Sequence, residues 1–101
     1  MKLNRFAAAV VALVLPFAAV PGPVSDACLK SNDQANPLLC DCIQRVADLT
    51  LTASDQRLAA SFFVNPLEAQ QVGASQGDRD REFWQRYVNF GESAEGVCSR
   101  E

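Results

Sequence analysis

Residues 36–49 read NPLLCDCIQRVADL, and this stretch decides the fold. Asn36 is a favourable N-cap, and Pro37 suits the first helical position because the N–H that proline lacks would have no partner there. Apolar side chains then recur at steps of three and four residues, the spacing of one helix face. They are Leu39, Cys42, Ile43, Val46 and Leu49. The stretch therefore predicts an amphipathic helix. Its polar side carries Asp41, Gln44, Arg45 and Asp48.

Two more helix starts follow directly. Thr52 or Ser54 can cap a second helix, and Asp55 is favourable near the positive end of its dipole. Its apolar face is made by Leu58, Ala59, Phe62 and Phe63. A new cap and first position at residues 65–66, Asn-Pro, predict a further short helix, which we expect to end at Gly73.

The last helix is predicted to start at Asp78, which can serve as its cap. An apolar stripe follows at helical spacing. It consists of Phe83, Tyr87, Phe90, Ala94 and Val97. There is no alternating strand pattern anywhere in the sequence. We therefore predict an all-α protein, a small three- or four-helix bundle.

The N-terminal segment has the pattern of an export signal. Lys2 and Arg5 precede a 15-residue apolar run, Phe6–Val20, whereas a membrane-spanning helix needs about 20 residues. Small side chains at Ser25 and Ala27 fit the −3 and −1 positions of a secretory cleavage site. We therefore predict a cut after Ala27.

This cut would divide the chain into a signal peptide, residues 1–27, and a single helical domain, residues 28–101. Two alternatives stay open: an uncleaved N-terminal anchor, and lipidation of Cys28. No second apolar stretch long enough to cross a bilayer follows. We therefore expect a periplasmic or secreted protein whose mature chain has no transmembrane span.

The four cysteines predict two disulfides, because short exported domains commonly need covalent cross-links. Cys40 and Cys42 point to opposite sides of a helix, so a bond between them is the least favoured pairing. Cys42 lies on the apolar stripe of the first helix and Cys98 continues the stripe of the last. This favours Cys42–Cys98 with Cys28–Cys40. The exchanged pairing, Cys28–Cys42 with Cys40–Cys98, stays open.

The Cys40-Asp41-Cys42 motif also has two functional interpretations. A closely spaced cysteine pair can exchange disulfides with a substrate, and four thiolates can hold Zn²⁺. Structural zinc sites usually show two Cys-x₂₋₄-Cys pairs, which this chain lacks. We therefore predict no metal and no cofactor, and keep thiol–disulfide exchange as an alternative.

Composition excludes several classes of function. The chain has no His, so it holds neither a Ser-His-Asp triad nor a His metal ligand. Its 12 acidic residues outnumber its 9 basic ones, for a net charge of −3, which argues against nucleic-acid binding. No phosphate-binding loop and no nucleophile–base pair is evident. We expect a non-enzymatic protein.

Residues 83–87, FWQRY, are the most concentrated candidate site. Trp, Tyr and Arg dominate the energetics of protein interfaces. Helical spacing favours a core position for Phe83 and Tyr87. Trp84 lies on the flank of that stripe, with Arg81 and Arg86 beside it in sequence, and these three side chains form the predicted partner surface.

Several motifs together carry a resemblance. They are Cys28, residues 36–42 (NPLLCDC), 54–57 (SDQR) and 59–63 (AASFF), Pro66, residues 83–87 (FWQRY), and Cys98. In this order they resemble an uncharacterised family of small exported, Cys-containing helical proteins of proteobacteria, some of which are labelled arginine transporters. Members often have a basic residue after the Pro66 turn, where this chain has Leu-Glu-Ala. The resemblance implies no catalytic or binding residues.

Together these features lead to one main hypothesis for the function. We expect a small exported helical protein that acts through contacts with a protein or envelope partner. One alternative is thiol–disulfide exchange through Cys40 and Cys42. The other, which the resemblance suggests, is a periplasmic accessory to solute uptake, with arginine as the solute.

Overall fold

A computed structural model of the chain describes residues 22–31 and 36–99, which form five α-helices and no strand. The helices are α1 (Pro23–Lys30), α2 (Pro37–Thr50), α3 (Ala53–Val64), α4 (Pro66–Ala74) and α5 (Asp78–Cys98). The all-α prediction is confirmed. The number of helices exceeds the predicted three or four because α1 was not expected. Lys2, Arg5 and the Phe6–Val20 run lie outside the described residues.

Capping explains where α2 and α3 begin. The side-chain oxygen of Asn36 accepts a hydrogen bond from the N–H of Leu38 (2.8 Å). At α3, the Thr52 hydroxyl accepts from the N–H of Asp55 (3.0 Å), and the Asp55 carboxylate accepts from the N–H of Thr52 (3.3 Å). This reciprocal pair satisfies two amides that the first helical turn leaves open. Of the two predicted caps for α3, Thr52 is therefore the correct one.

The ends of α4 and α5 differ slightly from the prediction. Helix α4 continues through Gly73 to Ala74. Gly77 occupies the cap position of α5, so Asp78 is its first helical residue rather than its cap. Asp78 and Asp80 still lie in the first turn of α5, where negative charge is favourable.

The helices pack around a single core. Helix α1 lies against α2 and α3, while α5 packs along α2 and also contacts α3 and α4. The main buried cluster consists of Val24, Val46, Ala47, Leu51, Ala59, Phe90 and Cys98. A second group of rings joins α3 to α5: Phe62 contacts Phe83 and Tyr87 edge-on, with centroids 6.0 and 5.2 Å apart.

Three predicted positions on the helix faces are wrong. Leu49 is 86% exposed and Val97 is 59% exposed, although both were expected on apolar stripes. Gln44, expected on the polar side of α2, is only 1% exposed. For Gln44 the physical reason is that α2 is covered on two sides, by α1 and by α5, so its buried surface is broader than one stripe. The packing covers Leu39, Cys42 and Ile43 but not Leu49.

Candidate functional site

The predicted anchor Trp84 lies beside an apolar groove between α4 and α5. The groove has a volume of about 400 Å³. Its lining consists of Ala69, Gln70, Gly73, Ala74 and Trp84. None of these side chains is charged. The arrangement can therefore accommodate an apolar group, with the indole ring as one wall.

Gly73 permits this geometry. A Cβ atom at this position would lie 2.9 Å from the Trp84 ring, closer than real Cβ atoms approach their neighbours. The absence of a side chain lets the indole rest against the backbone of α4. Trp84 also contacts Tyr87, with ring centroids 5.2 Å apart. Trp84 is thus half-buried, with one part of its ring held by the fold and another part facing the groove.

The two predicted arginines have different surroundings. Arg86 donates from Nε and Nη2 to the two carboxylate oxygens of Asp55, at 2.7 and 3.0 Å. This two-point contact links α5 to the start of α3, so Arg86 stabilises the fold and does not line the groove. Arg81 is exposed about one turn before Trp84 and forms no ion pair with any residue that the structure describes.

Asp55 and Arg86 stabilise each other in their charged forms. The hydrogen bonds from Arg86 lower the pKa of the Asp55 carboxyl, against the opposing effect of burial, and the Thr52 backbone adds to the lowering. Asp55 in turn raises the pKa of Arg86. A polar cleft beside this pair is lined in part by Ser54, Arg79 and Asp80. The buried carboxylate of this cleft, that of Asp55, is already hydrogen-bonded to Arg86, which leaves the cleft poorly suited to acid–base chemistry.

Gln44 is the polar residue that sequence reasoning missed. Its Oε1 accepts from the backbone N–H groups of Val24 (3.0 Å) and Ser25 (2.9 Å) at the start of α1. Its Nε2 donates to Asp48 (2.8 Å) and Gln56 (2.7 Å). Gln44 thus joins three helices in one buried network. No signal in the sequence indicated the burial of Gln44, since a polar residue on the polar side of a helix usually faces solvent, as the neighbouring Asp48 does.

The two disulfides are those that were favoured, Cys28–Cys40 and Cys42–Cys98, with Cα atoms 5.7 and 5.8 Å apart. All four cysteines of the chain are therefore paired. Cys28, Cys40 and Cys98 are buried, and Cys42 is partly buried. Because its sulfur is bonded to Cys40, Cys28 cannot carry a thioether-linked lipid in this structure.

Within residues 22–31 and 36–99, no three acidic or cysteine side chains are grouped in a way that could hold a metal ion. The helices of this same part of the chain are all too short or too polar to cross a membrane. No protein-family model, curated protein or solved structure matches the chain.

Proposed function

We propose that this chain is a small exported, non-enzymatic protein that binds another protein through the groove beside Trp84. The observation that carries the proposal is the apolar groove itself, in which the Trp84 ring rests against Gly73 and remains half-buried. Tryptophan is enriched among the residues that contribute most to binding at protein interfaces, and binding pockets are usually apolar and largely preformed.

The exposed charge of Arg81 near Trp84 points to the chemistry of the partner. Arg81 stands about one turn of α5 from Trp84, exposed and without a carboxylate partner among the described residues. We therefore expect a protein segment that inserts an apolar side chain into the groove and brings an acidic side chain to Arg81. Such an exposed charge contributes mainly to orientation and association rate, while the buried apolar group supplies affinity.

The lining favours binding over catalysis, because alanine, glycine, glutamine and tryptophan offer no group that titrates near neutral pH. Thiol–disulfide exchange fits the geometry less well. A substrate thiolate must reach a sulfur atom; Cys28, Cys40 and Cys98 are buried, and Cys42, which is partly buried, is bonded to the buried Cys98. Export is consistent with the two disulfides, which persist in oxidising compartments.

The test uses two matched substitutions on α4. Ala74 lines the groove and Gln71 does not, yet both are exposed on the same helix. In Ala74→Arg a long charged side chain would cover the groove, while Gln71→Arg makes the same charged side chain elsewhere on α4. Both variants should keep the unfolding midpoint of the parent chain.

Partners are captured by crosslinking the tagged full-length chain in cells and identified by mass spectrometry. We expect Ala74→Arg to reduce capture of a specific partner at least tenfold and Gln71→Arg to leave it unchanged. Because Trp84 is the only tryptophan, the purified partner should also shift its fluorescence. Equal capture by the two variants would refute the groove as the binding site. Capture of only a second copy of this chain would refute a distinct partner.

A further inference from the structure

Helix α1 spans the bond at which the sequence predicts cleavage. The Ala27–Cys28 bond lies inside α1, which runs from Pro23 to Lys30. The residues before that bond are part of the folded domain. Val24 is 0% exposed and belongs to the main buried cluster, and Ser25 is buried beside it.

Hydrogen bonds to the side chain of Gln44 also fix the start of α1. Both open amides of its first turn, those of Val24 and Ser25, donate to Gln44. Gly22 precedes them in close contact with the same side-chain amide, where a Cβ atom would clash with Gln44. Its carbonyl accepts the N–H of Asp26 (3.0 Å). Residues 22–26 are therefore closely packed and hydrogen-bonded against α2.

A cut after Ala27 would remove these contacts between α1 and α2. It would leave Gln44 Oε1 buried without its two donors, and an unsatisfied buried polar atom is costly. It would open a cavity at Val24 in the middle of the core. Only residues 28–30 of α1 would remain, too few to form a helix of their own.

We infer that the exported protein retains Gly22–Ala27 as part of its domain, and that any cut which releases the apolar leader lies before Gly22. Ala19, near the end of the Phe6–Val20 run, offers a small side chain directly before such a cut. The inference shares the expectation of export with the proposed function but does not depend on the groove.

The decisive measurement is the N-terminus of the exported protein. The full chain, with its natural N-terminal segment, is produced in a bacterium, and the disulfide-bonded product is isolated from the periplasm without reductant. Intact mass and N-terminal sequencing then identify the first residue. We expect it at or before Gly22. A folded product with both disulfides that begins at Cys28, or at any residue after Gly22, would overturn the inference.

A substitution gives an independent test. Signal cleavage requires a small residue directly before the cut, so Ala27→Gln should block a cut after position 27. If processing lies before Gly22, the variant and the parent chain will have the same first residue. Accumulation of uncleaved Ala27→Gln chain, with a normally processed parent, would contradict the inference. A parent chain that keeps Met1 in the envelope would agree with the inference, since it retains Gly22–Ala27, and would contradict only the predicted removal of the signal peptide.

Discussion

Replacing Gln44 with leucine tests the buried network most directly. Leucine is of comparable size but has no side-chain donor or acceptor, so Gln44→Leu removes hydrogen bonds while keeping most of the volume filled. Two donors at the start of α1, the amides of Val24 and Ser25, would lose their acceptor. Each buried donor left unsatisfied costs about 1–3 kcal/mol, so the expected loss in the free energy of unfolding is about 2–6 kcal/mol. That is a large share of what a small domain has.

The assay is chemical denaturation followed by circular dichroism, with the disulfides intact. Gln85→Leu is the control, because Gln85 is exposed on α5 and its loss should change stability by less than about 0.5 kcal/mol. Native-state hydrogen exchange adds a local readout. The loss of these hydrogen bonds should let the start of α1 detach locally, while Cys28 stays bonded to Cys40. The amides of Val24 and Ser25 should therefore exchange faster than those of α5. A Gln44→Leu variant as stable as Gln85→Leu would refute the reasoning.

Three further outcomes follow from the core and the charge pair. Cys98→Ser should lower stability by about 4 kcal/mol and Cys28→Ser by about 3, because the first opens the longer loop; equal shifts in thermal unfolding would contradict this. Phe90→Ala should cost about 3–5 kcal/mol through lost burial and a cavity, measured by denaturant titration. Asp55, whose pKa is lowered by Arg86, stabilises the fold fully above its ordinary pKa of about 3.8, and this contribution is lost as the pH falls from there through the lower pKa that Asp55 has in the folded state. Stability of Asp55→Asn should therefore fall less steeply in acid than that of the parent chain, and parallel curves would count against the pair.

Local signals were sufficient to predict most of the helices, and they favoured the observed pairing of the cysteines over the exchanged one. The Asn36-Pro37 start and the Thr52 cap are short-range features, since a cap acts within its own first turn. The pairing of Cys42 with Cys98 followed from two apolar stripes that had to face each other. These features could be predicted because each depends on residues within a few positions or on one simple periodicity.

The parts that could not be predicted depend on contacts between helices distant in sequence. Gln44 is buried because α1 covers it, and α1 itself was hidden by its similarity to the end of an export signal. The ion pair of Arg86 with Asp55 could not be predicted, because Asp55 lies 31 residues away in the chain. Gly73 resembled a helix end, whereas its role is to let Trp84 approach the backbone of α4. No pattern in a single helix records such neighbours.

The two disulfides also determine how the domain responds to mechanical force. Cys40 and Cys42 are almost adjacent in α2, and each is bonded to a cysteine near one end of the domain, Cys28 or Cys98. Tension applied at the two ends would therefore pass through covalent bonds and only residues 40–42. Fully stretched, this path is about 20 Å long, against roughly 240 Å for the reduced chain between Cys28 and Cys98. While oxidised, the domain can be pulled hard from its ends and still yield almost no length, and reduction would turn it into an extensible tether.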